Sequence, residues 1–396
     1  MIKREKYLSL IRDFYDKDLI KVITGIRRCG KSILLKQIID ELYQKGIDDK
    51  HIIYINFEDL NYSFISNYLD LNKYILSQVN DNEKYYLFFD EIQQIDQWEK
   101  VINSFKATLN ASIFVTGSNS KLLSGELATL LSGRYVAFKI APFSFKEVIT
   151  LKELTDKEEI KKEFNDYLLW GGMPQRFEFE NKESMKSYLH DIFNSIVLKD
   201  IVKRYNIKNI NLFERVMEYL VTNPSQSFST KNILKEFEKD NIPISTRTIY
   251  ECLDYAETSM LMSKASEYDI RGKRILSRKD KYYLADLGLG QILNTNKKVQ
   301  YGAYLENIVY NELLLRGYEV SIGNNNGKEI DFIATKHNEI NYYQVCYSLN
   351  EENLDREFGA FSNINDNFPK YVISMDELDF TQNGIVHKNI IDWLLN

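Results

Sequence analysis

The sequence predicts an α/β protein built on a parallel sheet, and three observations carry that reading. Five short apolar runs, 19–24, 51–57, 85–90, 111–117 and 135–140, alternate with helical patterns such as Trp98, Val101, Ile102 and Phe105. The first run opens into Gly25-Ile26-Arg27-Arg28-Cys29-Gly30-Lys31-Ser32, which fits G-x-x-x-x-G-K-[ST] at every fixed position. The third run ends in Asp90-Glu91, two carboxylates at a strand tip. Strands alternating with helices form a parallel sheet covered on both faces, with ligand at the carboxyl ends of the strands.

Each element has its own warrant. The apolar run before Gly25 reads as a strand, and Ile33, Leu34, Ile38, Ile39 and Leu42 after it recur at helical spacing. In that context the backbone N–H groups of the loop and of the helix N-terminus point together at an anion. Gly25 through Ile33 are therefore the expected nucleotide-binding residues, with Lys31 reaching the β- and γ-phosphates and the Ser32 hydroxyl on Mg²⁺. Asp90 is expected to hold Mg²⁺ through water, and Glu91 to polarise the attacking water. At the tip of the fourth strand Thr116, Ser118 or Asn119 can bond that water or the γ-phosphate, or make a plain turn. Arg134, just before the fifth strand, suits either a trans-acting contact to a neighbouring subunit's phosphate or a surface position at a helix end.

Composition bounds the rest. A chain of 396 residues with 44% hydrophobic residues predicts two to four domains with real cores. No run approaches the roughly 18 apolar residues of a membrane helix, and residues 1–18 lack the apolar centre of a signal peptide. Cys29, Cys252 and Cys346 are far apart and fit no metal spacing or disulfide framework. A soluble, cytoplasmic setting is expected. The net charge of −6 argues against coating nucleic acid with the whole surface, but leaves room for a local basic patch.

Residues 144–211 read as mainly helical. Within them Trp170-Gly171-Gly172-Met173-Pro174-Gln175-Arg176 reads as a break between helices. Residues 212–290 give helical patterns at 212–222, 230–239 and 246–261, then two β-like stretches at 261–268 and 274–285, the pattern of a winged helix. Its recognition helix would begin near Arg247. The hairpin carries Lys264, Arg271, Lys273, Arg274, Arg278, Lys279 and Lys281 against Glu267, Asp269 and Asp280, a basic surface suited to phosphate or simply to solvent. From residue 298 the order becomes helix, strand, strand, strand, helix, strand, with Glu306 on the helix, Asp331 mid-strand and Gln344-Val345-Cys346 on the next strand.

The phosphate loop, the Asp90-Glu91 strand tip, the polar strand end and Arg134 together resemble the AAA+ ATPase superfamily. Gly25–Leu35, Thr116–Ser120 and Gly133-Arg134 resemble more closely a large group of uncharacterised bacterial and archaeal ATP-binding proteins, over nearly the whole chain. The resemblance implies a P-loop NTPase core of AAA+ type at 1–143, a helical lid at 144–211, a winged helix at 212–290 and a PD-(D/E)XK-like, restriction-endonuclease-like α/β domain at 298–396. It also implies that Pro174 packs on the adenine and that Arg176 senses the γ-phosphate. In the last domain Glu306, Asp331 and Gln344 match the metal posts of a nuclease, but Cys346 stands where a lysine is expected and cannot supply its charge. The fold is expected there without efficient cleavage. The whole reads as an ATP- and Mg²⁺-dependent switch or motor coupled to DNA through Arg247, Arg271, Lys273 and Arg274. The alternatives are a signalling or scaffold ATPase whose C-terminal domains bind proteins, and an ATP-regulated nuclease. An oligomer is compatible with either coupling; a membrane partner is not expected.

Overall fold

The structure, a computed structural model, describes the chain except residues 1, 119–130, 132, 227–229, 271, 273, 295–298, 326, 363 and 365, and the side chains of 199 and 276–279. The chain divides after Pro142. One compact unit is Met1–Pro142 with Thr258–Met260, and the other is Phe143–Glu257 with Leu261–Asn396.

The first unit holds α1 (Glu5–Arg12), β1 (Ile20–Thr24), α2 (Lys31–Gln44), β2 (Ile52–Asn56), α3 (Tyr68–Gln78), β3 (Tyr85–Asp90), α4 (Trp98–Thr108), β4 (Ala111–Gly117) and β5 (Tyr135–Lys139). The five strands lie in the order β2-β3-β4-β1-β5, all parallel. Their bounds follow the apolar runs because β1, β3 and nearly all of β4 are buried on both faces. Val22, Leu87, Phe89 and Val115 pack with Leu71, Ile75, Val101 and Phe105 on one face. Leu34, Leu35 and Ile38 of α2 are buried too. Helix α1 is fastened to α2 through Glu41, which accepts from Arg12 Nε at 2.9 Å, Arg12 Nη2 at 2.7 Å and the Tyr15 hydroxyl at 2.9 Å. Arg12 above all holds the Glu41 carboxyl down at about 2.

The second unit begins with α5 (Phe145–Lys152), α6 (Lys157–Trp170) and α7 (Lys182–Asn194), the last continuing as a π-helix over Ser195–Val202. Then follow α8 (Ile210–Val221), α9 (Thr230–Lys239), α10 (Thr246–Thr258) and the hairpin β6 (Met262–Asp269) and β7 (Arg274–Leu284). After α11 (Gly288–Gln291) come α12 (Tyr301–Leu315), β8 (Glu319–Asn325), β9 (Lys328–Lys336), β10 (Glu339–Val345), α13 (Leu354–Gly359), β11 (Lys370–Ser374), β12 (Ile385–Asn389) and α14 (Ile390–Leu395).

One expectation is corrected here. The hairpin does not close off a self-contained winged helix at 290. It extends the sheet of the C-terminal region, in the order β12-β11-β10-β9-β8-β6-β7, with β6 parallel to β8 at Glu267–Ile322, Tyr268–Gly323 and Asp269–Asn324. The reason is burial: Met262, Ala265, Tyr283 and Leu284 are all buried, and Asn307 of α12 bonds both backbone groups of Leu284 at 2.8 Å. The base of the hairpin is thus packed against α12, whereas Arg274 and Ile275 toward its tip are exposed.

The Gly171-Gly172 pair also acquires a cause. Gly171 (φ +70°, ψ −159°) occupies a region essentially restricted to glycine. A Cβ there would lie 2.0 Å from Asp286 Oδ1, and one on Gly172 would lie 2.0 Å from the Phe143 carbonyl oxygen. The buried Asp286 carboxylate accepts from Gly172 N–H at 2.6 Å and Gly288 N–H at 2.9 Å. Burial pushes its pKa up to about 6 despite those donors. Gly171→Ala is expected to lower stability by about 2–4 kcal/mol, from overpacking plus the backbone penalty. Gly384→Ala, also at positive φ but with nothing within 4 Å of its Cβ, should cost only ~1 kcal/mol. Equal losses in urea unfolding would remove Asp286 as the cause.

Candidate functional site

The phosphate loop links the carboxyl end of β1 to the start of α2. Arg28 (φ +66°) and Gly30 (φ +105°) both sit in the left-handed region, the alternation that turns successive N–H groups into an anion-binding concavity. Gly25 is required at its position because a Cβ would lie 2.4 Å from the Ile140 carbonyl oxygen and 2.7 Å from Cys29 Sγ. Ile26 and Cys29 point into the core, Arg28 is exposed, and Arg27 pairs with Glu58 at 3.1 Å. Ser32 and Ile33 are half-buried in the first turn of α2.

Lys31 is buried, and its Nζ lies 3.3 Å from the Gly25 carbonyl oxygen and 3.3 Å from Glu91 Oε1. Burial alone would lower the lysine pKa, but Glu91, Cys29 and Asp90 together outweigh it and the net direction is up. Burial likewise works against the Glu91 carboxylate, and Lys31, Gln93 and Arg27 together reverse it, so that pKa is lowered. Both groups are therefore charged, and Gln93 Nε2 donates to the other Glu91 oxygen.

At the tips of β3 and β4 one hydroxyl connects the two acids. Thr116 Oγ1 donates to Asp90 Oδ1 and accepts from the Glu91 backbone N–H at 2.9 Å. The Tyr54 hydroxyl donates to Asp90 Oδ2 at 2.9 Å. Glu91 holds a left-handed backbone (φ +55°, ψ +46°), a local cost of the kind found at functional sites. Around these groups Thr24 Oγ1, Gln93 Oε1 and Ser118 Oγ are buried without a hydrogen-bond partner among the described residues. Orphaned buried polar atoms are costly unless a ligand or water completes them. Three of them at the carboxyl ends of β1, β3 and β4 fit a polar ligand, and Ser32 with Asp90 offers oxygens suited to Mg²⁺.

Of the sequence-derived site, the structure brings together Gly25 to Ile33, Asp90, Glu91 and Ser118. Arg134 is exposed at the start of β5. Asn119 lies outside the described residues. Sequence reading left Tyr54 and Gln93 unnamed, and it treated Thr116 as one of three equivalent polar residues. The pairing of Tyr54 with the strand bearing Asp90 exists only once the strand order is known.

Pro174 and Arg176 belong to the second unit. Pro174 opens a short 3-10 turn. Arg176 is buried there, with Nε donating to the Gly171 carbonyl at 2.7 Å, Nη1 to Asp166 at 2.9 Å, and its guanidinium carbon 4.0 Å from the Phe177 ring centroid.

The basic surface is smaller than the residue count suggested. Lys281 is corrected outright: it is buried, 3.0 Å from Glu306 Oε1 and 2.6 Å from Glu329. Arg247 is exposed but paired with Glu251 at 2.8 Å, and Arg274 is exposed. Arg271 and Lys273 lie outside the described residues. Inside the sheet region, Glu306 also accepts from the Tyr283 hydroxyl at 2.7 Å, Asp331 Oδ2 from Val345 N–H at 2.8 Å, and Gln344 Oε1 from Asp331 N–H at 3.2 Å. Burial raises the pKa of both Glu306 and Asp331. Among the described residues no group of three or more His, Cys, Asp or Glu side chains is arranged to hold a metal ion. Lys281, on β7, places a positive charge beside Glu306 and Glu329.

A P-loop, a parallel sheet of this strand order and an acid pair at β3 define an AAA-type nucleotide-binding ATPase domain. The family described as AAA domain matches residues 17–149, and a domain of unknown function (DUF8612) matches residues 161–300. An uncharacterized protein of Haemophilus influenzae is 40% identical over 398 residues, covering 100% of this chain and 99% of that one. The uncharacterized protein MJ1544 of Methanocaldococcus jannaschii is 34% identical over 361 residues, covering 86% of this chain and 78% of its own. Among solved structures, the Aeropyrum pernix ORC1 protein in complex with DNA aligns with 75% of this chain and 93% of its own, at 12% identity and a TM-score of 0.34. The chain belongs to the family of these bacterial and archaeal proteins, in which an AAA domain precedes a region of unknown function.

Thr116→Val removes both contacts of the bridging hydroxyl at nearly constant volume. It is expected to lower stability by ~1–3 kcal/mol and to reduce turnover more than nucleotide affinity. Unfolding curves together with separate binding and rate measurements decide this; an unchanged rate would make Thr116 a packing residue only.

Proposed function

We propose that this chain is a Mg²⁺-dependent ATPase that works as a nucleotide-driven switch. The observation that carries the reading is the buried Lys31–Glu91 pair among three unpaired polar atoms, Thr24 Oγ1, Gln93 Oε1 and Ser118 Oγ. The phosphates of ATP would replace Glu91 as the partner of Lys31 and free that carboxylate to orient water. Mg²⁺, held by Ser32 and through water by Asp90, would neutralise charge on the phosphates. Thr116 would keep Asp90 and the Glu91 backbone in register, and Ser118 would donate to the γ-phosphate or the attacking water. Arg134 is available at the surface for a phosphate bound by a second subunit.

In this reading Lys31→Ala abolishes nucleotide binding, because it removes the charge that would face the phosphates. Glu91→Gln keeps binding and loses turnover. Fluorescent-nucleotide titration and phosphate-release assays on the two variants separate the roles. Wild-type affinity in Lys31→Ala would overturn the loop assignment, and wild-type hydrolysis in Glu91→Gln would move the water-positioning role elsewhere.

The coupled partner is proposed to be nucleic acid, contacted through the region of α10 and the β6–β7 hairpin, with the exposed Arg247 and Arg274, joined by Arg271 and Lys273, as the cations that would meet it. A second reading, a protein partner, is favoured by the inward turn of Lys281 and by the Arg247–Glu251 pair, which both reduce the free positive charge. Steady-state ATP hydrolysis with and without single- and double-stranded DNA, at low and moderate salt, separates them. Stimulation that fades with salt is the nucleic-acid outcome; a rate indifferent to DNA at both salts is the protein-partner outcome.

A further inference from the structure

Arg4, just before α1, is a fully buried arginine well separated in sequence from the phosphate loop, with a relative exposure of 1%. Its Nη1 donates to the Cys29 carbonyl oxygen at 3.1 Å, inside the phosphate loop. The same guanidinium donates from both Nη1 and Nη2 to the Ala141 carbonyl oxygen at 3.1 Å, and from Nη2 to that of Pro142 at 3.4 Å. Its position is set from behind. The Arg4 backbone N–H donates to Gln37 Oε1 of α2 at 3.0 Å, Gln37 Nε2 donates to the Ile2 carbonyl at 2.7 Å, and the guanidinium stands 4.7 Å from the Tyr7 ring centroid. The Tyr7 hydroxyl in turn accepts from Ala141 N–H at 2.9 Å.

A trans peptide is planar, so the Cys29 carbonyl and the Gly30 N–H point in opposite directions. A charge-assisted donor that fixes the carbonyl on one side therefore fixes the N–H on the other. Gly30 is the N-cap of α2 and carries one of the unsatisfied N–H groups that an anion must meet. The loop's φ values of +66° and +105° on either side of Cys29 leave this peptide without the restraint of regular structure, and Arg4 supplies one. Segment 140–142 is caught in the same grip. Ile140 N–H donates to the Thr24 carbonyl at 2.7 Å, its carbonyl oxygen lies against Gly25, and the chain leaves the first unit after Pro142.

We infer that Arg4 is a positioning residue of the nucleotide site: it orients the Cys29–Gly30 peptide toward the phosphates and ties the loop to the segment at which the chain leaves the first unit. The inference rests on the proposed nucleotide site. Loss of a charge-assisted hydrogen bond at this peptide is worth about tenfold or more in phosphate affinity.

The test uses the full chain and MgATP, with wild type, Arg4→Lys and Arg4→Met compared for melting and for nucleotide affinity at a temperature where each is folded. Arg4→Met is expected to bind about tenfold more weakly or worse, and Arg4→Lys, which keeps a cationic donor, to recover part of that loss. A folded Arg4→Met that binds like wild type would overturn the inference and leave Arg4 a purely structural residue. A wild type that fails to bind nucleotide overturns the proposed function itself, whatever the variants do. Should Arg4→Met not fold, the guanidinium N–H resonances of Arg4 in the wild-type chain provide the readout. A shift on adding MgATP supports the role, and unchanged resonances in a nucleotide-bound protein reject it.

Discussion

The arrangement of the first unit depends on one hydroxyl. Thr116 at the tip of β4 donates to Asp90 and accepts from the Glu91 N–H at the tip of β3, so the carboxylate of one acid and the backbone of the next are held by one side chain. That is possible only because β3 and β4 are adjacent and parallel and end at the same level, with Phe89 opposite Val115. The position of β1 on the far side of β4 then brings Lys31 within 3.3 Å of Glu91. Sheet order, and not loop chemistry alone, assembles the acid pair, the lysine and the unpaired polar atoms in one place.

The second unit is organised around a buried carboxylate of another kind. Asp286 has no cation within hydrogen-bonding reach among its described partners, and it is stabilised by the N–H groups of Gly172 and Gly288. Two glycine-containing segments can approach it because neither carries a Cβ in the way. The cost is a raised pKa of about 6. Ionisation above that pH works against the fold of this unit, so its contribution to stability is greatest below about pH 4 and declines as pH rises toward 6.

The legibility of this protein in its sequence follows interaction range. The five strands of the first unit and the phosphate loop were readable because strands buried on both faces are continuous apolar runs and because the loop's glycines, lysine and serine act locally. Asp90 and Glu91 were readable as a strand-end pair. Thr116 could not be distinguished from Ser118 until β3 and β4 were seen side by side. Arg4 carries no local signal at all, since its partners are 25 and 137 residues away. The hairpin of residues 262–284 is legible as two strands paired with each other, but local pattern does not reveal that β6 also pairs with β8. Lys281 was misread for the same reason: in sequence it lies in a basic run, whereas in space it faces Glu306.

The most direct measurement of the central claim is a calorimetric titration of the wild-type chain with a slowly hydrolysed ATP analogue, with and without Mg²⁺. The account predicts saturable binding of one nucleotide per chain that tightens when Mg²⁺ is present. An absence of binding under both conditions would contradict it, and would leave the Lys31–Glu91 pair as an internal ion pair of the fold.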